Sequence, residues 1–174
     1  MCSYCGCRDV VLIGQLTAEH EAIVNAGGQL HLAVAAGEMD QAGELLDELE
    51  SLLHPHTDLE ERGIFAELRQ DETSTQHVDL LCGEHRDLDE RLAVCRGGDW
   101  SGLDALLFAL REHIEKEENG LFPAALTSLD GDQWERLHED PAVTGAPQHA
   151  HPHDHAHPHP HPHDQDSPRP QAQV

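Results

Sequence analysis

Aromatic residues are nearly missing from this chain. Three Phe, two Trp and one Tyr make up 3% of its 174 residues, far below what the core of a β-sandwich or barrel uses. Basic residues are scarce too: ten Lys and Arg stand against 34 Asp and Glu, for a formal charge of −24. Lys116 is the sole lysine, so there is no polybasic cluster. Like-charge repulsion then excludes a general grip on DNA, RNA or anionic lipid. No apolar run approaches the ~20 residues needed to span a bilayer. The start of the chain carries one Arg and a short apolar stretch from Val10 to Ile13, which does not have the form of a signal peptide. Together these absences predict a cytoplasmic protein with neither nucleic-acid nor membrane partners. Cysteine comes in an odd number, with Cys2, Cys5, Cys7, Cys82 and Cys95. In a reducing compartment these read as thiols or metal ligands, not as a disulfide framework.

Histidine is the residue in excess. Sixteen of them in an acidic chain point to metal before any motif is considered. Hydrophobic content is 38%, mostly Leu, Ala and Val, which suits packed helices.

Apolar residues recur at steps of three and four, the spacing of one helix face. The clearest seam runs Val78, Leu81, His85, Leu88, Leu92, Cys95. Others run Leu16, His20, Ile23, Gly27, Leu30, Val34, then Leu45 through His56 and Glu60 to Glu67, then Leu103 through His113 and Glu117 to Ala124. Short polar breaks separate them at residues 36–38, 70–72 and 97–99. Ser101, with Asp104 three positions on, has the form of a capping box opening the fourth helix. Four long helices with short turns predict an all-α, up-down-up-down four-helix bundle. A short fifth helix is expected near Asp132 to Glu139, stopped by Pro141. Pro55 inside the second helix removes one backbone hydrogen bond and is expected to bend it.

The organisation is then a Cys-rich segment at 1–9, a bundle at 10–144 and a tail at 145–174. The tail is built of His, Pro, Asp, Ala and Gln and is expected to be disordered, because it buries too little apolar surface to offset ordering entropy.

Two segments repeat. Residues 56–65 and 113–122 both read H-x3-E-E-x-G-[I/L]-F, and each follows a Glu-His pair one helix earlier, Glu19-His20 and Glu84-His85. The chain looks like two copies of a helical hairpin. At ~100° per residue, His56 shares a face with Glu60, and His113 with Glu117. Midpoints between His20 and His56, Glu60 and His85, and His85 and His113 all fall in the predicted turns. Antiparallel neighbours therefore bring His20, His56, Glu60, His85, His113 and Glu117 to one level of the core. Buried His and Glu are costly unless paired or metal-bound. Four imidazoles and two carboxylates suit two metal ions with bridging Glu, iron first, with manganese or zinc also compatible.

This pattern over about residues 10–128 resembles the hemerythrin-like, or HHE cation-binding, domain. The resemblance implies a four-helix bundle with a non-haem di-iron centre, two Fe ions held by the six residues just named, and Glu60 and Glu117 as bridges. It implies a protein that binds, senses or reacts with O2, NO or peroxide. Oxygen-carrying members have a further histidine where this chain has Leu81, and end with His-x4-Asp where it has His113-x3-Glu117 or His113-x4-Glu118. Those departures imply one iron with a protein ligand fewer, which favours reaction or sensing over simple oxygen carriage.

Other candidates fall outside that level. His31 lies ~16 Å along the axis from His20 and is expected as a core or end-cap histidine; His77 is ~12 Å to the other side, structural or exposed; and His54 points away from His56. Glu135-x2-His138 occurs once, where a ferritin-type site needs it twice. Glu61 and Glu118 sit ~100° off the ligand face, as surface carboxylates or supports behind the ligands. Cys95 is a small core residue on the third seam, and Cys82 falls off it. An alternative function is metal binding or buffering by Cys2, Cys5 and Cys7 together with the tail, whose eight histidines occupy every second position from His149 to His163. Such a tail is expected to bind Ni(II), Cu(II) or Zn(II) with low specificity.

Overall fold

The computed structural model describes residues 10–139. The predicted cysteine cluster at Cys2, Cys5 and Cys7 and the His-rich tail lie outside them. Every regular element among the described residues is helical. Helix α1 spans Val11–Ala36, α2 Met39–Arg62, α3 Ile64–Leu68, α4 Glu72–Arg96 and α5 Leu103–Lys116. A π-helical turn at Glu117–Leu121 leads into α6, Phe122–Ser128, and α7 follows at Gly131–Glu139. The long helices pack in a ring: α1 on α2, α2 on α4, α4 on α5, and α5 back on α1.

The turns fall where the polar breaks put them. Gly37 closes α1 with φ 77°, and its N–H bonds the carbonyls of Ala33 and Val34. Glycine adopts this left-handed conformation without the penalty a Cβ would bring. Asp71 caps α4 by accepting the Thr73 N–H. Gly27 lies on the α1 seam where a Cβ would come within 2.8 Å of Leu107, so its missing side chain lets α5 approach α1.

Several expectations change. The second seam is not one helix to Glu67: it stops at Gly63, and α3 turns Ile64 and Phe65 into full burial. The fourth seam holds through Leu121 and then shifts by one residue: Glu117–Leu121 switches to π geometry, so Ala125 is buried and the expected Ala124 is exposed. Ser101 caps nothing: Gly102 holds the position before α5 with no side-chain bond. The Asp99 carboxylate instead takes the Ser101 N–H. His31 is neither core nor cap, being half exposed and 3.1 Å from the Asp104 carboxylate. Cys82 is buried at 2% exposure, where Arg69 donates to its Sγ at 3.4 Å. Helix α2 runs through Pro55 without interruption, and the short last helix is present as α7.

The apolar core divides in two. One cluster joins Leu12, Leu16, Ile64, Phe65, Leu81 and Phe122 with their neighbours. The other joins Ile23, Leu30, Leu49, Leu88, Leu92 and Leu110 with theirs. The residues between them along α1, α2, α4, α5 and the π turn that follows it are polar: His20, His56, Glu60, His85, His113 and Glu117, all buried at 4% exposure or less.

Candidate metal centre

Burying six ionisable side chains between two apolar clusters is unfavourable unless something inside satisfies them. All six residues expected from spacing are brought together. They form two groups, His20 with His56, and His85 with His113, each completed by Glu60 and Glu117. Within each group the donor atoms lie within 4.8 Å of one another. The two carboxylates belong to both groups and so stand between them.

Each imidazole is held from behind by a carboxylate. His20 Nδ1 donates to Glu118 at 3.2 Å, His56 Nδ1 to Glu19 at 2.8 Å, His85 Nδ1 to Glu61 at 2.8 Å and His113 Nδ1 to Glu84 at 3.0 Å. Carboxylates only accept, so each Nδ1 carries the hydrogen. Every Nε2 then faces inward toward Glu60 and Glu117. His20 and His113 Nε2 stand 3.1 Å from Glu117, and His56 and His85 Nε2 stand 3.4 Å from Glu60. These separations are close enough for ionic attraction, yet most are not directed as hydrogen bonds. His20 Nε2, His85 Nε2, His113 Nε2 and all four oxygens of Glu60 and Glu117 are buried without a hydrogen-bond partner. A bare imidazole nitrogen beside a carboxylate oxygen sets lone pair against lone pair, so either a proton or a metal ion must sit between them.

The metal-free electrostatics reflect this need. Burial alone would lower the pKa of His20, but Glu117 and Glu118 outweigh it and carry it up to about 9. His85 is likewise lowered by burial and raised more strongly by Glu117 and Glu60, to about 11. His113 is raised by Glu117 against the same burial penalty. Burial raises Glu117, and the surrounding histidines more than reverse this, holding it well below the ordinary carboxylate range. A divalent ion supplies the same positive charge with directed bonds to each nitrogen and oxygen, so the residues fit a metal centre. Imidazole with carboxylate donors on facing helices is the mixed N/O set that suits iron, manganese or zinc.

The repeated motif now has a role at each position. Its His and first Glu supply the inward-facing atoms of the two groups that could hold a metal ion. Its second Glu supports the histidine of the other half: Glu61 holds His85, and Glu118 holds His20. Its Phe stacks on that same ring, Phe65 on His85 at 5.6 Å between centroids and Phe122 on His20 at 5.8 Å. The Glu of each Glu-His pair supports the other histidine of its own half, Glu19 for His56 and Glu84 for His113. Spacing alone assigned no role to Glu19, Glu84, Phe65 or Phe122, although the duplicated Glu-His and Phe were its visible signal. The other histidines among the described residues stand apart. His54 is exposed and paired with Asp89, His77 is half-buried, and His138 is exposed and donates to the Trp134 carbonyl. No helix among the described residues is long and apolar enough to cross a membrane.

No curated protein and no solved structure matches the chain. A family model described as the hemerythrin HHE cation-binding domain matches residues 11–125. That stretch is well over half of the chain and holds every residue of the buried polar layer, and the chain belongs to the hemerythrin HHE cation-binding family.

Proposed function

We propose that the chain is a non-haem di-iron protein that binds, senses or reacts with a small oxidant, O2, NO or peroxide. The observation that carries this reading is the set of buried donor atoms without hydrogen-bond partners, arranged as two groups that share Glu60 and Glu117. His20 and His56 would hold one ion, His85 and His113 the other, and the two carboxylates would serve both. When bound, such ions supply open coordination positions and electrons for chemistry on a small oxidant.

The chain's own residues set the conditions. Glu19, Glu61, Glu84 and Glu118 fix the tautomer and orientation of the four imidazoles and make them stronger donors. Leu81, Phe65 and Phe122, each at 1% exposure or less, keep water off one side of the layer. Two grooves approach it from outside. A cavity of about 450 Å³ between α1 and α5 reaches His20 and Glu118. Another of about 530 Å³ between α1 and α2 reaches His56 and Glu19.

Anaerobic loading of the full chain with ferrous iron should give about two iron per chain at the centre. Its absorption spectrum should then change on exposure to O2, peroxide or NO. The double substitution His56→Ala plus His113→Ala, which leaves the tail intact, should remove that iron and the spectral response. Unchanged iron content in the double variant would sink the proposal.

A second reading concerns the rest of the chain. Eight histidines at every second position from 149 to 163 support a separate, low-specificity site for Ni(II), Cu(II) or Zn(II), with Cys2, Cys5 and Cys7 as further thiol donors. Deleting 145–174 should abolish most nickel and zinc uptake and leave iron loading unchanged. Undiminished nickel and zinc binding would refute it.

A further inference from the structure

The two halves of the chain are near copies, so the places where they differ set one metal position apart from the other. Glu19 and Glu84 occupy matching places. Each precedes a ligand histidine in sequence and accepts the Nδ1–H of the other histidine of its half. Their second oxygens meet different partners. Glu19 Oε1 accepts from the Gln15 side-chain amide at 2.9 Å. Glu84 Oε1 accepts from the Lys116 ammonium at 2.5 Å.

The repeat shows that this difference is specific. Gln15 lies four residues before Glu19, and the residue four before Glu84 is Leu80. Lys116 directly precedes the shared carboxylate Glu117, and its counterpart before Glu60 is Leu59. One supporting carboxylate is therefore steadied by a neutral amide and the other by the chain's sole lysine. The supports are otherwise alike, since both carboxylates are partly exposed, 34% at Glu19 and 24% at Glu84.

A carboxylate behind a ligand imidazole pulls on its N–H and makes the opposite nitrogen a stronger donor. An ammonium on the far oxygen draws off part of that pull, because a charge-assisted hydrogen bond competes for the same negative charge. The ammonium also adds a positive charge near the His85 and His113 position, screened because Lys116 is itself 40% exposed.

We infer that Lys116 makes the two metal positions unequal: by neutralising Glu84 it weakens the His85/His113 position, so the first ion fills the His20/His56 position. This rests on the two-metal reading above. Lys116 is a positioning and charge-setting residue in this account; it holds no metal itself.

The test is an anaerobic titration of the metal-free full chain with ferrous ion, followed by calorimetry. Two steps of unequal affinity are expected. Lys116→Met should tighten the weaker step by about tenfold, the scale on which such supporting groups act, and leave the stronger step in place. Lys116→Arg should restore the wild-type ratio. Gln15→Lys, which puts a cation behind Glu19, should weaken the stronger step. An unchanged ratio in Lys116→Met would overturn the inference. So would a weaker second step in that variant, the result expected if Lys116 were only a tether for Glu84. If the wild-type chain binds no ferrous ion that His56→Ala plus His113→Ala removes, the two-metal reading falls first and takes this inference with it.

Discussion

Replacing Glu117 by Gln will cost the chain both ions, not one. Glu117 stands 3.1 Å from His20 Nε2 in one group and 3.1 Å from His113 Nε2 in the other. It also stands 3.8 Å from His85 Nε2. The amide keeps the volume but loses the negative charge, and its NH2 presents hydrogens to any cation. Iron content should fall from about two per chain to below one. The metal-free chain should lose stability as well. Removing one partner of a buried charge pair costs about 3–5 kcal/mol, and at neutral pH the histidines can shed protons in response, which favours the lower end. Metal analysis and chemical denaturation with and without chelator read the two effects separately. Retention of one tightly held iron per chain would mean that Glu117 serves a single group and that the carboxylates are not shared.

The gathering of the six buried His and Glu residues was legible because it needs only spacing and turn positions. His56 with Glu60 and His113 with Glu117 are one helical turn apart, and the turns at Gly37, Asp71 and Gly97 set the levels. What lay behind the donors was less visible. The hydrogen bonds of Nδ1 cross from helix to helix, His56 on α2 to Glu19 on α1 and His85 on α4 to Glu61 on α2. Their partners depend on how neighbouring helices are rotated, and a one-helix periodicity does not contain that information. The break at Gly63 and the π turn after Lys116 were hidden for a different reason. Both keep the next apolar residue, Ile64 or Leu121, facing the core, so the apolar seam looks continuous while the hydrogen-bond register changes. Two consecutive Glu residues diverge by ~100° on a helix, and they meet opposite nitrogens of one ring: Glu117 and Glu118 face Nε2 and Nδ1 of His20, and Glu60 and Glu61 face Nε2 and Nδ1 of His85. Ser101 and His31 misled because local pattern competes with neighbours outside the window. Asp99 took the amide that a capping hydroxyl was expected to precede, and Asp104 drew His31 to the surface.

Metal removal should turn the bundle from an alkali-tolerant protein into an alkali-sensitive one. In the metal-free chain the folded-state pKa values of His85 and His20 rise from 6.5 to about 11 and about 9, because Glu60, Glu117 and Glu118 outweigh burial. A raised folded pKa means that the folded state binds the proton more tightly than the unfolded chain does. The resulting stability is fully present below about pH 6.5 and is lost as pH rises through about 9 and then about 11. Carboxylates act in the opposite sense. Glu117, Glu19 and Glu84 are held below 4.5 in the fold, so their contribution is present above that value and lost as acid protonates them. The metal-free chain should therefore be most stable between about pH 4.5 and 6.5. Its Tm should fall by roughly 4–7 °C between pH 6.5 and 9.5, as a loss of one to two kcal/mol produces in a domain of this size. With ions bound, each Nε2 is a ligand and carries no proton, so the alkaline loss should disappear and acid should release metal instead. Loading at pH 7 should correspondingly expel protons, measurable in weakly buffered solution. Thermal melts at three pH values, with iron and with chelator, decide it. Parallel pH profiles for the two forms would show that the imidazoles hold no such protons, and that the buried carboxylates are compensated in some other way.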